Sequence, residues 1–370
     1  MVEPSQLPHV SAALRPAREV AVDVEADSMH HFRAKLCFVQ LSTDEDIFLV
    51  DTLSPGVTLE ALQTTFADPQ TTKFFHAASG DLQYLAESGV RVAGLFDTHR
   101  AATLLGWPKV GLADLVKEKL GATLKKEHQQ ADFSARPLPP ELREYIADDV
   151  RYLNEVGRWV REACEAADVL EEVLLDCQRM CDDAAARPDP LDFSPKLPRS
   201  GPKEQFAIAW HVARALHRRR LDWAEAVDLP TGRVLSNMAL TELATKLPTE
   251  LKQLSKLAGV RGAIVREHGE EILALIADLS AQVRSGALEY TEERKDRDPK
   301  KKKREESLLE WRRQEATARK VTPSVVLSNG LVSELASNPP PRADDFARVP
   351  YFGDKRMKRY AEPLSALLNA

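Results

Sequence analysis

Residues 234–248 of this 370-residue chain return, in order and without a gap, at 326–340. Val234, Leu235, Ser236, Asn237, Glu242, Leu243, Ala244 and Pro248 correspond to Val326, Leu327, Ser328, Asn329, Glu334, Leu335, Ala336 and Pro340. Each pair is 92 positions apart (326 − 234), and the offset carries on to Ile272 and Leu364. Eight identities in one frame within a helix-patterned region mark two copies of one small all-helical domain. The copies follow Arg187–Pro202, whose five prolines read as an interdomain linker. Between them lies Glu292–Glu306, a charged run holding Lys300, Lys301, Lys302, Lys303 and Arg304. The expected boundaries are 203–285 for the first copy, 286–305 for a charged linker and 306–370 for the second.

The N-terminal part has a different period. Glu19–Glu25 (EVAVDVE) alternates Val20, Val22 and Val24 with Ala21, Asp23 and Glu25, the period of 2 expected of a strand. Asp23 and Glu25 therefore project to the same face. Two carboxylates on one face of an apolar strand repel each other and are costly to bury without a cation between them. Leu36–Ser42 is apolar enough for a central strand, Asp46–Asp51 follows closely, and the short connections suggest an antiparallel meander. Helix Thr58–Phe66, strand Lys73–Ala78 and helix Gly80–Gly89 come next. Strand Leu95–Asp97 runs into helix Thr98–Leu105, and helix Leu112–Leu120 stops at Gly121. This order predicts an α/β domain with a mixed sheet. Lys125–Pro140 reads as a surface loop, a long helix starts at Glu141, and a helical pattern continues from Ala163 to Ala186.

Further acids extend the Asp23–Glu25 pair. Asp81 opens a helix directly after a strand, where α/β sheets commonly place binding groups. Tyr145 and Asp149 are four apart and share a helix face, while Asp148, three from Tyr145, is a rival that spacing alone leaves open. Four carboxylates from three segments, with a tyrosine beside the last, fit a two-metal phosphodiesterase. Two Mg²⁺ or Mn²⁺ ions about 4 Å apart would activate a water and stabilise the leaving oxygen. Hard cations prefer carboxylate oxygen, and Cys37, Cys164, Cys177 and Cys181 lack a paired ligand spacing that would argue for zinc. These cysteines read as reduced thiols. With no run of about 18 apolar residues and no signal-like N-terminus, the expectation is a soluble cytoplasmic protein without a membrane partner.

At this point several motifs coincide: DVE at Asp23–Glu25, HAASGDL at His76–Leu82, FDTHRAATLLG at Phe96–Gly106, and RPL followed by YIADDV. Together they resemble ribonuclease D, of the DEDDy 3′–5′ exonucleases, whose third motif Y-x-x-x-D favours Asp149 over Asp148. The helical copies resemble HRDC domains, the helicase-and-ribonuclease-D C-terminal module. The resemblance implies a ribonuclease-H-like α/β mixed-sheet exonuclease domain at 1–165, a helical and proline-rich linker at 166–202, and two small all-α HRDC-like domains. It implies that Asp23 bridges both metals, that Glu25 and Asp149 hold the one binding the nucleophile, and that Asp81 supports the other. Tyr145 would orient the attacking water. Asp97 would support the site from behind. His76 would pack beside it and, with Lys126 and Arg136, form the substrate-binding set. The sequence departs from the family pattern at His128 and Phe133, where glutamine and tryptophan are expected.

The implied function is a metal-dependent 3′–5′ exoribonuclease that releases nucleoside monophosphates. Its implied partners are RNAs with a free 3′ end, such as tRNA precursors during 3′-end maturation, bound by a monomer. The net charge of −6 gives no general attraction to nucleic acid, so local cations must supply it. His217–Arg220 in the first copy and Arg312, Arg313, Arg356, Lys358 and Arg359 in the second are expected at phosphates. A fragment ending near Pro190 is then expected to keep hydrolysis of short RNA. Two alternatives are a 3′–5′ DNA exonuclease, since the acids do not distinguish sugars, and a non-catalytic nucleic-acid-binding protein, which loss of an acid would favour.

Overall fold

A computed structural model describes residues 2–124, 128, 131–186, 195–198, 201–290 and 298–369. Its centre is β1 (Glu19–Ala26), flanked in a five-stranded sheet of order β3-β2-β1-β4-β5 by β2 (Leu36–Ser42), β3 (Ile47–Asp51), β4 (Thr72–Phe75) and β5 (Leu95–Asp97). β1, β2 and β3 are antiparallel and β4 and β5 run parallel to β1, which is the mixed sheet expected. β2 is buried along its whole length. The register sets Asp23 opposite Gln40 and Glu25 opposite Phe38.

The expected strand Lys73–Ala78 ends earlier, at Phe75, because Ala77 turns into the left-handed region (φ 62°) ahead of the Ser79–Glu87 helix. The expected Thr58–Phe66 helix splits into a 3₁₀ turn, Leu59–Leu62, and a short α-helix, Gln63–Ala67. Leu112–Leu120 ends as expected at Gly121, whose φ of 69° suits a residue without Cβ. An N-terminal helix, Leu7–Leu14, precedes β1 and buries Leu7, Val10 and Leu14.

The single long helix expected from Glu141 is two, Pro140–Arg151 and Leu153–Ala166. The first buries Leu142, Ile146 and Ala147 in a cluster with Phe38 and Leu49. At about 1.5–3 kcal/mol for each large aliphatic side chain, that burial fixes the helix over β2 and β3. The second lies close on β4. A Cβ at Gly157 would stand 2.4 Å from the Phe74 ring, so only glycine permits the approach.

The repeat is real in three dimensions. The first copy contains helices Lys203–Ala226, Asn237–Lys246 and Gly262–Arg284; the second contains Pro299–Arg319, Asn329–Ser337 and Asp354–Leu368. Ser236 and Ser328 each cap the following helix, accepting from Ala239 N–H and Leu331 N–H. Arg220 donates to Leu235 O at 3.1 Å and Asn237 Oδ1 at 2.7 Å, and Arg312 repeats this at Leu327 O (3.1 Å) and Asn329 Oδ1 (2.9 Å). The Leu-Ser-Asn identity of the repeat is thus a cap plus an arginine lock.

The described residues fall into two compact units. One combines the sheet, its helices and the second repeat; the other combines the first repeat with Asp27–Lys35. Within the first unit, Val325 of the second repeat is fully buried in the core of the sheet domain. Thr322 donates to Leu104 O at 3.0 Å, Tyr351 to Asp182 at 2.8 Å and Arg359 to Asp168 at 2.8 Å. Lys355 Nζ reaches the buried Glu172 at 2.9 Å. These bonds correct the expectation of free cations. Arg356 is 2% exposed and donates to Val325 O and Val326 O, and Arg313 pairs with Glu310. His217 and Arg220 are buried and bonded to each other. Arg218, Arg219 and Lys358 stay exposed, with Arg219 beside Glu271 at 3.2 Å.

Candidate active site

Asp23, Glu25 and Asp149 each present a carboxylate oxygen within 4.8 Å of the others, the only such group of three His, Cys, Asp or Glu residues among the described residues. Period-2 alternation of β1 supplies the first two, and the Pro140–Arg151 helix brings the third across the sheet. Its neighbour Asp148 points away and pairs with Arg151 at 2.7 Å. Of the two acids, Asp149 is the one in the three-carboxylate group. Asp81, in the first turn of the Ser79–Glu87 helix, lies outside the 4.8 Å set. Its charge nevertheless acts on both Asp23 and Glu25.

Burial and mutual repulsion push every one of these acids up. Burial, then Asp149 and Asp81, raise Glu25 to about 8. Asp149 rises to about 7 through burial and Asp148, and Asp81 to about 7 through burial and Asp97. Asp23 is raised by burial, Asp81, Asp149 and Glu25, against one favourable hydrogen bond from the backbone of Val24. A set of carboxylates that holds protons near neutral pH is one that a cation stabilises. All the donors are oxygen, which suits hard divalent ions.

The Tyr145 phenol is pushed above its ordinary value by burial and by Asp149, Glu25 and Asp23, so it stays protonated and lies in their field. Phe133 stacks on its ring at 6.3 Å and His128 packs edge-on at 5.7 Å. His128 and Phe133, the two positions where glutamine and tryptophan were expected, thus both bear on the tyrosine.

Asp97 is 1% exposed and accepts from three backbone N–H groups, Ala77 (3.1 Å), Ala78 (2.8 Å) and Arg100 (2.9 Å). It ties the turn leading to Asp81 to the start of the next helix, as a supporting residue would. His76 bonds through Nδ1 to the Thr98 hydroxyl at 2.8 Å and packs edge-on against His99. That hydroxyl donates to Phe75 O, so His76 Nδ1 carries the proton. Burial holds the imidazole neutral, with its pKa lowered to about 4.

Arg136 has all five N–H donors engaged within the protein. It forks onto Asp51 at 2.7 and 2.6 Å and reaches the carbonyls of Phe133, Ala135 and Cys37. It also stacks over Phe38 at 4.4 Å. Expected at a phosphate, it instead anchors the loop that carries Phe133. The third expected substrate contact, Lys126, lies outside the described residues.

A family model described as a 3′–5′ exonuclease matches residues 2–158, and an HRDC domain model matches 211–276 and 301–368. The ribonuclease D of Gluconacetobacter diazotrophicus is 34% identical over 268 residues, 71% of this chain and 67% of that one. The chain belongs to the ribonuclease D family. The ribonuclease D of Acidiphilium cryptum is 31% identical, again over 71% of this chain and 67% of the relative. Escherichia coli RNase D, described as an exoribonuclease involved in structured RNA processing, superposes with a TM-score of 0.71 at 25% identity, over 99% of this chain and 96% of that chain. As a ribonuclease D family member this protein is a 3′–5′ exoribonuclease that uses divalent metal. Among the described residues no helix is long and apolar enough to cross a membrane.

Proposed function

We propose that Asp23, Glu25, Asp81 and Asp149 hold two divalent cations, Mg²⁺ or Mn²⁺, and that Tyr145 positions the attacking water at the 3′-terminal phosphodiester of RNA. The observation that carries this reading is the convergence of Asp23, Glu25 and Asp149 within 4.8 Å, beside a tyrosine kept neutral. Bound there, the cations lower the pKa of a water and offset charge on the phosphate and the leaving oxygen. Asp23, Glu25 and Asp149 supply ligand oxygens from β1 and from the Pro140–Arg151 helix, which shares an apolar cluster with Phe38 of β2, the strand paired with β1. Asp81 completes the set from a turn stapled by Asp97. The Tyr145 hydroxyl, held by Phe133 and His128 against its ring, donates or accepts a hydrogen bond without ionising. Water adds to phosphorus, the P–O3′ bond of the penultimate nucleotide breaks, and a nucleoside 5′-monophosphate leaves.

The substrates we propose are structured RNAs with a free 3′ hydroxyl, tRNA precursors among them, processed by a monomer in the cytoplasm. Support comes from the relatives' names, and from Cys164, Cys177 and Cys181 standing as thiols rather than in disulfides, which suits a reducing compartment. Digestion of end-labelled RNA and matched DNA with Mg²⁺, Mn²⁺ or EDTA tests the reading. Metal-dependent release of mononucleotides from RNA supports it, and equal or faster attack on DNA shifts it to a DNA exonuclease.

A further inference from the structure

Gln40 lies on β2 directly opposite Asp23 and has no exposed surface. Among the described residues neither its Nε2 nor its Oε1 has a hydrogen-bond partner. Its neighbours along the strand, Phe38, Val39 and Leu41, are buried and apolar, so the site would take an apolar side chain of the same length. Leaving a buried amide unpaired costs about 1–3 kcal/mol. Asn154, on the helix that follows Asp149, donates Nδ2 to Ser42 O at 2.9 Å and leaves its own Oδ1 unpaired. It does not relieve Gln40.

Residues directly opposed across antiparallel strands project to the same face, with Cβ atoms about 4.5–5.5 Å apart. The Gln40 amide therefore stands on the face that carries Asp23, Glu25 and Asp149, within side-chain reach of the Asp23 carboxylate. That carboxylate has the Val24 N–H as its favourable partner and three acids as unfavourable ones. A ligating carboxylate is ordinarily held by a donor of its own, and loss of such a donor costs roughly 10–100-fold in metal affinity or activity.

We propose that Gln40 is a positioning residue for the metal centre, its Nε2–H donating to the Asp23 carboxylate when cations are bound and so fixing which oxygen faces them. The inference rests on the reading of the acids as metal ligands. It accounts for a fully buried strand that keeps an amide among apolar neighbours.

The test substitutes Gln40→Met, which removes the donor and keeps the length. Mn²⁺ binding is measured by calorimetry, and thermal unfolding is measured in EDTA. The expected result is about a 10-fold or greater loss of Mn²⁺ affinity, with metal-free stability unchanged or higher because the unpaired amide is gone. A packing role gives the reverse, lower metal-free stability with wild-type affinity, and overturns the proposal. Wild-type protein and Asp23→Asn are run alongside. Where wild-type binds Mn²⁺ and Asp23→Asn does not, the ligand reading stands and unchanged affinity in Gln40→Met overturns Gln40 alone. Where wild-type binds no Mn²⁺, both fall. Should Gln40→Met not fold, the side-chain amide resonances of Gln40 in wild-type protein are followed during Mg²⁺ titration. A shift that saturates with the metal supports the proposal, and resonances unmoved at saturation overturn it.

Discussion

The Asp97 carboxylate accepts the backbone N–H of Ala78 at 2.8 Å, and Ala78 directly precedes the helix that carries Asp81 in its first turn. The other Asp97 oxygen takes Ala77 N–H at 3.1 Å, the residue whose φ of 62° needs such support. Asp97→Ala leaves three backbone N–H groups without this acceptor, that of Ala78 buried. Stability should fall by about 1–3 kcal/mol and activity by roughly 10–100-fold. Denaturant unfolding and single-turnover digestion check this; wild-type activity in the folded variant would show that the Asp81 turn needs no staple.

Asp149 and Asp148 are neighbours with different fates. Asp149→Asn should lower the rate by on the order of 10³ or more, because it removes a ligand oxygen. Asp148→Asn should stay within a few-fold of wild type, because it removes an exposed pair to Arg151 worth about 0–1 kcal/mol. Steady-state rates on one RNA distinguish them, and the opposite ranking would move the third motif by one residue.

The metal-free protein should lose stability as pH rises. Glu25 is raised to about 8 and Asp81 and Asp149 to about 7, above the ordinary carboxylate range near 4. Between about pH 4 and pH 8 the folded state therefore holds protons that the unfolded chain has released, and folding free energy declines across that window. Saturating Mg²⁺ should flatten the decline, because the cation replaces the protons. Thermal melts in EDTA and in Mg²⁺ from pH 5 to 8.5 measure it; identical slopes would mean that these acids do not bind the cation. Asp149→Asn should flatten the EDTA curve and raise metal-free stability by about 1–2 kcal/mol.

Much of this site was legible in the sequence because it depends on local periodicity. Asp23 and Glu25 share a face by the pleat of one strand, and Tyr145 and Asp149 by one helical turn. The sheet class followed from the same patterns. What stayed hidden depends on contacts between distant segments. Arg136 looked free as a loop cation, but Asp51, 85 positions earlier, takes its fork. Arg356 and Arg359 looked like part of an RNA-binding face, but carbonyls of the same repeat hold Arg356 and Asp168 pairs with Arg359. Gln40 gave no periodic signal, since every position of β2 is buried whichever way it points.

The docking of the second repeat changes what truncation should do. Removing it takes Val325 from the core of the sheet domain and the Lys355 partner from the buried Glu172. Breaking a buried pair by deleting one partner is expected to cost about 3–5 kcal/mol. A fragment ending near Pro190 should therefore be markedly less stable than the full chain, contrary to the expectation that it works independently. Denaturant midpoints of the two, with Lys355→Ala in the full chain as a milder case, test this. Equal midpoints would show that the sheet domain needs no cover.

The central claim is that Asp23, Glu25 and Asp149 form one metal-dependent 3′–5′ exoribonuclease site, and the most direct measurement is a time course on 5′-labelled single-stranded RNA. Wild-type protein with Mg²⁺ or Mn²⁺ should shorten the RNA from a free 3′ hydroxyl one nucleotide at a time. EDTA or Asp23→Asn should stop the reaction, and a 3′ phosphate should slow it strongly. Efficient cutting of a circular RNA, or shortening that persists undiminished in EDTA, would contradict the account.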